Sequence, residues 1–127
     1  MNFKALSTSV FILLLSMTPS FSNSKSPEQA NKYLTILLDT LVERDHAAFL
    51  KPGTQTFKSA ISKAMFDSVC DQVTGNLSKG YSYVYFGYLN HSNIIEHVYK
   101  IKCKGINDDF LARITIMDGK VAGFLLQ

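Results

Sequence analysis

The hydrophobic period of this chain changes once, near Gly80, and that single switch limits the folds open to it. Before the switch, apolar residues recur at steps of three and four. After it, aromatic and β-branched residues alternate with polar ones. Helices followed by strands, with no second alternation of the two, predict an α+β domain: N-terminal helices packed on one antiparallel sheet.

In the helical half, Ser26-Pro27-Glu28-Gln29 combines an N-cap serine, proline at the first helical position and glutamine three residues after the cap. The helix it opens carries Ala30, Tyr33, Leu34, Leu37, Leu38, Leu41 and Val42 on one face. Asp45 then caps a short turn of helix, His46 to Leu50, which Pro52-Gly53 ends. A third helix is predicted from about Thr56, with Phe57, Ile61, Met65, Val69 and Val73 spaced by four, stopping at Gly75-Asn76 or Lys79-Gly80.

The second half predicts a four-stranded antiparallel meander. A turn at Asn90-His91-Ser92-Asn93 opposes Phe86 to His97, Val84 to Tyr99 and Tyr88 to Ile95. The core face then holds Val84, Phe86, Tyr88, Ile95, His97, Tyr99, Ile101 and Cys103, continued by Phe110, Ala112, Ile114 and Ile116. Tyr81, Tyr83, Tyr85, Leu89, Glu96, Lys100 and Lys102 fall on the other face. Asp118-Gly119 turns into a last strand with two possible facings. A two-residue turn sends Val121, Gly123 and Leu125 inward, and a three-residue turn sends Ala122, Phe124 and Leu126 inward. The second is preferred because it buries Phe124.

The N-terminus has a basic start at Lys4, an apolar run at Val10 to Leu15 and a small-residue exit at Ser20 and Ser22. This is the layout of a secretory signal, too short and too interrupted by serine and threonine for a span. Residues 1–22 are therefore expected to be removed, leaving one domain at 23–127, secreted or periplasmic, with no membrane span after processing. The 127 residues carry a net charge of only +3, with no basic run, which argues against nucleic acid. In an oxidising compartment Cys70 and Cys103, the only cysteines, are expected to form a disulfide rather than remain two buried thiols. Such a bond would be worth roughly 3–4 kcal/mol.

Glu43-Arg44-Asp45 leading the short second helix, and the ending Asp118-Gly119-Lys120-Val121-Ala122-Gly123-Phe124, resemble small exported domains of unknown function. Those domains belong to the nuclear-transport-factor-like, cystatin-like superfamily. The resemblance spans about residues 27–127, and the ending is its most distinctive part. It implies a curved sheet wrapped around helices in a cystatin-like roll, a small apolar cavity and dimerisation through the sheet. No motif carries catalytic positions from that superfamily onto this sequence.

Candidate chemistry is sparse. His97 is the one imidazole on the expected core face; a neutral histidine bonded to tyrosine or backbone is its ordinary role, and contact with a ligand beside Tyr99 and Tyr88 is the functional one. Asp45 and His46 are better read as a cap and its neighbour than as an acid–base pair. No nucleophile motif, phosphate-binding glycine loop or metal spacing is present, so no catalytic residue, metal or cofactor is assigned. Asn76-Leu77-Ser78 and Asn90-His91-Ser92 match glycosylation acceptors. Tyr81, Tyr83 and Tyr85, three rings on a nominally exposed face, mark an interface for a second copy or an exported partner unless sheet curvature hides them. Three function classes follow: a non-catalytic binding or accessory domain with a small apolar ligand, an interaction module such as an inhibitor or immunity protein, and a small cavity enzyme.

Overall fold

A computed structural model of the protein describes residues 27–127; the expected leader and its cleavage site lie outside the described residues. Four helices, α1 (Pro27–Glu43), α2 (His46–Leu50), α3 (Gln55–Ala60) and α4 (Lys63–Leu77), precede four strands. The strands β1 (Tyr81–His91), β2 (Ile94–Cys103), β3 (Asp109–Met117) and β4 (Lys120–Leu126) form one antiparallel sheet in the order β1-β2-β3-β4. This is the expected α+β architecture, a helical layer on an antiparallel meander.

α1 buries Ala30, Leu34, Leu37, Leu38 and Leu41, the stripe its spacing predicts. Thr40 joins them because its hydroxyl donates to the carbonyls of Ile36 and Leu37 at 2.7 and 3.0 Å, which satisfies it without water. Arg44 closes the helix in the left-handed region, φ 57°. Asp45 N–H returns to Thr40 O at 3.0 Å, and the Asp45 carboxylate accepts from Ala48 N–H at 3.0 Å to start α2.

The single third helix predicted from about Thr56 is two. Ile61 is extended (φ −112°, ψ 96°), and Ser62 caps a new helix by accepting from Met65 N–H at 3.1 Å. His46 Nε2 donates to the freed Ile61 carbonyl at 2.9 Å while its ring lies 5.1 Å from that of Phe66. His46 thus holds the break between α3 and α4. The apolar spacing runs unbroken through this point, so periodicity alone hides it. α4 ends at Leu77 and the chain turns through Gly80, φ 111°, rather than at Gly75-Asn76.

The face assignment is correct for β2 and β3 and inverted for half of β1. Ile95, His97, Tyr99, Ile101 and Cys103 are buried on the helix side, with Ala112, Ile114 and Ile116 beside them. On β1, however, Tyr81 pairs with Cys103, Tyr83 with Ile101 and Tyr85 with Tyr99, then a bulge intervenes and Tyr88 pairs with His97. The extra residue at Phe86-Gly87, with Gly87 at φ 140°, shifts the register by one and reverses every side chain before it. Tyr81, Tyr83 and Tyr85 therefore pack against the core, whereas Val84 and Phe86 are 48% and 60% exposed.

β4 reconciles its two possible facings. Asp118 and Gly119, at φ 52° and 75°, form a two-residue turn that sends Val121 inward opposite Ile116. A bulge at Ala122 then realigns the strand, so that Phe124 and Leu126 also face the core, opposite Ile114 and Ala112.

Candidate functional site: an apolar cavity beneath the helices

Tyrosine hydroxyls fasten α1 to the sheet along its length. Tyr33 Oη donates to Gly119 O at 2.5 Å, Tyr99 Oη to Asn31 Oδ1 at 2.7 Å and Tyr81 Oη to Asp39 Oδ1 at 2.8 Å. Burial pushes the Tyr99 and Tyr81 hydroxyls well above the ordinary tyrosine range, and Asp39 adds to the effect at Tyr81. These groups stay neutral and serve as donors.

His97 takes the ordinary role of a core histidine. It is fully buried, its Nδ1 lies 3.0 Å from Tyr85 Oη, and the rings of Tyr85 and Tyr88 stand 5.9 and 6.2 Å away. Tyr99 is fully buried too, with Tyr83 and Tyr85 edge-on to it at 5.6 and 5.2 Å. Of the three residues expected to touch a ligand, only Tyr88, 42% exposed, reaches the surface. Of the three interface tyrosines, Tyr83 and Tyr85 belong instead to this inward aromatic cluster and Tyr81 packs against the core with its hydroxyl on Asp39, so the outer face is left to other residues.

An apolar hollow lies between the helical layer and the end of β4 and is lined by neither His97 nor Tyr99. About 240 Å³ in volume, it sits between Leu41 of α1, Phe49 of α2, Ile61 at the helix break, one face of α4 and the end of β4. α4 contributes Met65, Phe66, Val69, Gln72 and Val73, and β4 contributes Phe124, Leu125 and Leu126. Met65 and Leu125, 51% and 47% exposed, mark its mouth. The wall is hydrocarbon and aromatic ring except for the Met65 thioether and the Gln72 amide, and no titratable side chain lines it.

The sequence contained this wall without revealing it. Ile61, Met65, Val69 and Val73 are the residues read as the core stripe of one helix. The break at Ile61-Ser62 separates α3 from α4 and sets Ile61 in an extended link at the cavity wall. Phe49, 4% exposed, closes the floor through ring contacts with Phe57, Phe66 and Phe124 at 5.9, 5.1 and 6.1 Å.

Cys70 and Cys103 correct a further expectation: both are buried free thiols, with no disulfide. Each acts as a small apolar core residue. Desolvation raises both thiols above the ordinary cysteine range, with Arg44 partly opposing it at Cys70. Among the described residues no group of three or more histidine, cysteine or acidic side chains comes together as a metal site. Asp45 and His46 are committed to the α2 cap and the Ile61 carbonyl.

Helices covering one face of a four-stranded antiparallel sheet, with an apolar cavity between the two layers, define an α+β domain with a preformed hydrophobic pocket. No protein-family model matches the chain, and no curated protein matches it. Among solved structures it is similar to an NTF2-like protein of unknown function from Cytophaga hutchinsonii, at 9% identity and a TM-score of 0.39, over 76% of this chain and 87% of that one.

Proposed function

We propose that the protein is an exported, non-catalytic binding domain that holds a small, mainly hydrocarbon molecule in the cavity between α4 and β4. The cavity wall carries this reading: ten apolar side chains and one amide, Gln72, around about 240 Å³. A cavity of about 150 Å³ lined by leucine, isoleucine and phenylalanine takes benzene, so this one suits roughly ten heavy atoms, a short acyl chain or a single substituted ring. The Gln72 amide offers N–H donors and a carbonyl acceptor to a terminal hydroxyl or carbonyl. Hydrocarbon walls supply affinity by removing apolar surface from water, and a single polar group sets orientation. Export rests on the leader layout of residues 1–22, and ligand carriage or presentation outside the cytoplasm is the corresponding accessory role.

Organic extraction of the protein purified from its own host, followed by mass spectrometry, tests this. The expected result is a hydrocarbon-rich small molecule in near-stoichiometric amount, lost from a Val69→Phe variant whose larger ring fills the cavity. Equal recovery from both proteins, or none from either, would overturn the reading.

A further inference from the structure

The cavity between α4 and β4 is longer than it is wide. Along α4 its wall runs from Met65 to Val73, which is about 12 Å of helix. Other elements fix the two ends. At one, Ile61 stands in the extended link that leads into α4. At the other, Thr74 Oγ1 donates to Leu41 O at 3.1 Å, which sets Leu41 beside Val73. A volume of about 240 Å³ spread over that length leaves a bore about 5 Å wide. Since carbon atoms touch at 3.5–4.0 Å, an extended hydrocarbon chain is about 4–5 Å across, and a six-membered ring is about 6–7 Å across in its plane. Charge near the cavity is balanced in pairs. Lys63, the basic side chain of α4, is paired with Asp67 at 2.6 Å, and Arg44, just past α1, is paired with Asp71 next to Gln72.

We propose, resting on the binding role put forward above, that the ligand is an unbranched, uncharged chain with one hydroxyl or carbonyl, laid along α4 with its polar end at Gln72. At about 1.3 Å per carbon, the advance set by bonds of about 1.5 Å at near-tetrahedral angles, 12 Å holds about nine carbons. The floor under such a chain is Leu41, Phe49 and Phe66, all buried. Its far end reaches Met65, which is half exposed, so a longer chain passes into water there and buries nothing more. A ring has to push α4 and β4 apart to enter the same bore. A carboxylate at Gln72 would stand beside Asp71 with the adjoining guanidinium already engaged, and would lose hydration without gaining a cation. Length, width and charge thus select a medium-length neutral chain from the wider class of apolar molecules.

Calorimetric titration of the purified protein with the straight-chain alcohols from hexanol to dodecanol, with decanoate and with menthol tests this. The Kd is expected to fall about fourfold with each added carbon up to nonanol or decanol and then to level off. Menthol, with the ten carbons of decanol branched and closed into a ring, and decanoate, ionised at about pH 7, are each expected to bind at least tenfold more weakly than decanol. The Arg44–Asp71 pair is checked by Asp71→Asn, which frees the guanidinium and is expected to narrow the gap between decanoate and decanol without changing decanol affinity. Affinity that climbs steadily through dodecanol, or menthol or decanoate binding as well as decanol, would overturn the chain assignment while leaving the cavity as a binding site. Absence of binding by every alcohol would overturn the binding role itself, and this assignment with it.

Discussion

Tyr85 Oη and His97 Nδ1 are hydrogen-bonded at 3.0 Å on the helix-covered face of the sheet, a contact that exists only because a bulge turns Tyr85 inward. Strict alternation back from the β1–β2 turn would place Tyr85 on the far side. The bulge thus decides which residues of β1 are core and which are surface. Tyr83→Ala or Tyr85→Ala is expected to destabilise the protein by about 2 kcal/mol or more, since each removes a ring packed on Tyr99. Phe86→Ala, at an exposed position, is expected to stay within about 0.5 kcal/mol of wild type. Urea unfolding followed by circular dichroism measures all three.

The tyrosine ties of α1 separate by burial. Tyr99→Phe removes the donor to Asn31 from a fully buried ring and is expected to cost about 1–2 kcal/mol. Tyr81→Phe loses a more exposed bond to Asp39 and is expected to cost less, about 0.5–1 kcal/mol. The same unfolding experiment ranks them, and the reverse order would contradict the assignment of Tyr99 as the deeper anchor.

Much of this architecture was legible from period and caps. The α1 stripe, the Asp45 cap, the inward residues of β2 and β3 and the helix-to-sheet order all follow from local rules that tertiary packing did not override. What escaped is what one residue can change. Gly87, an unexpected glycine inside an alternating strand, was the available signal of a bulge, and missing it reversed Tyr81, Tyr83 and Tyr85. Ser62 was the available signal of a second helix start, masked because Ile61, Met65 and Val69 keep helical spacing across the break. The cavity had no sequence signal of its own. A stripe of apolar residues reads identically whether a neighbouring element fills the space against it or leaves a gap.

Gly53 is fixed by close approach. A β-carbon there would lie 2.3 Å from a ring carbon of Phe57, and the adjoining Pro52 and Thr54 are bonded to Val121 on the β4 edge. Gly53→Ala must displace Phe57 or that edge segment and is expected to cost about 1–3 kcal/mol, read as a lowered urea midpoint with an unchanged slope.

The two thiols and the buried tyrosines make stability sensitive to alkali. Cys70, Cys103, Tyr81, Tyr85 and Tyr99 all have folded values raised, chiefly by burial, so the folded state holds these protons more tightly than the unfolded chain. Their contribution is fully present below the ordinary thiol and phenol ranges and is lost as pH rises through them. Unfolding midpoints are therefore expected to fall above about pH 9. A thiol reagent at about pH 8 is expected to find no reactive cysteine in the native protein and both after denaturation without reductant. Loss of both thiols in the denatured sample would instead indicate the disulfide.

The cavity claim is tested most directly by nuclear magnetic resonance titration of the protein with decanol. The expected result is saturable shift changes confined to Phe49, Val69, Val73 and Phe124 and their neighbours, absent in Val69→Phe. Because no lining group titrates, affinity is also expected to be the same between about pH 6 and 8. No saturable change, or changes centred on His97 and Tyr88 instead, would contradict the assignment of this cavity as the binding site.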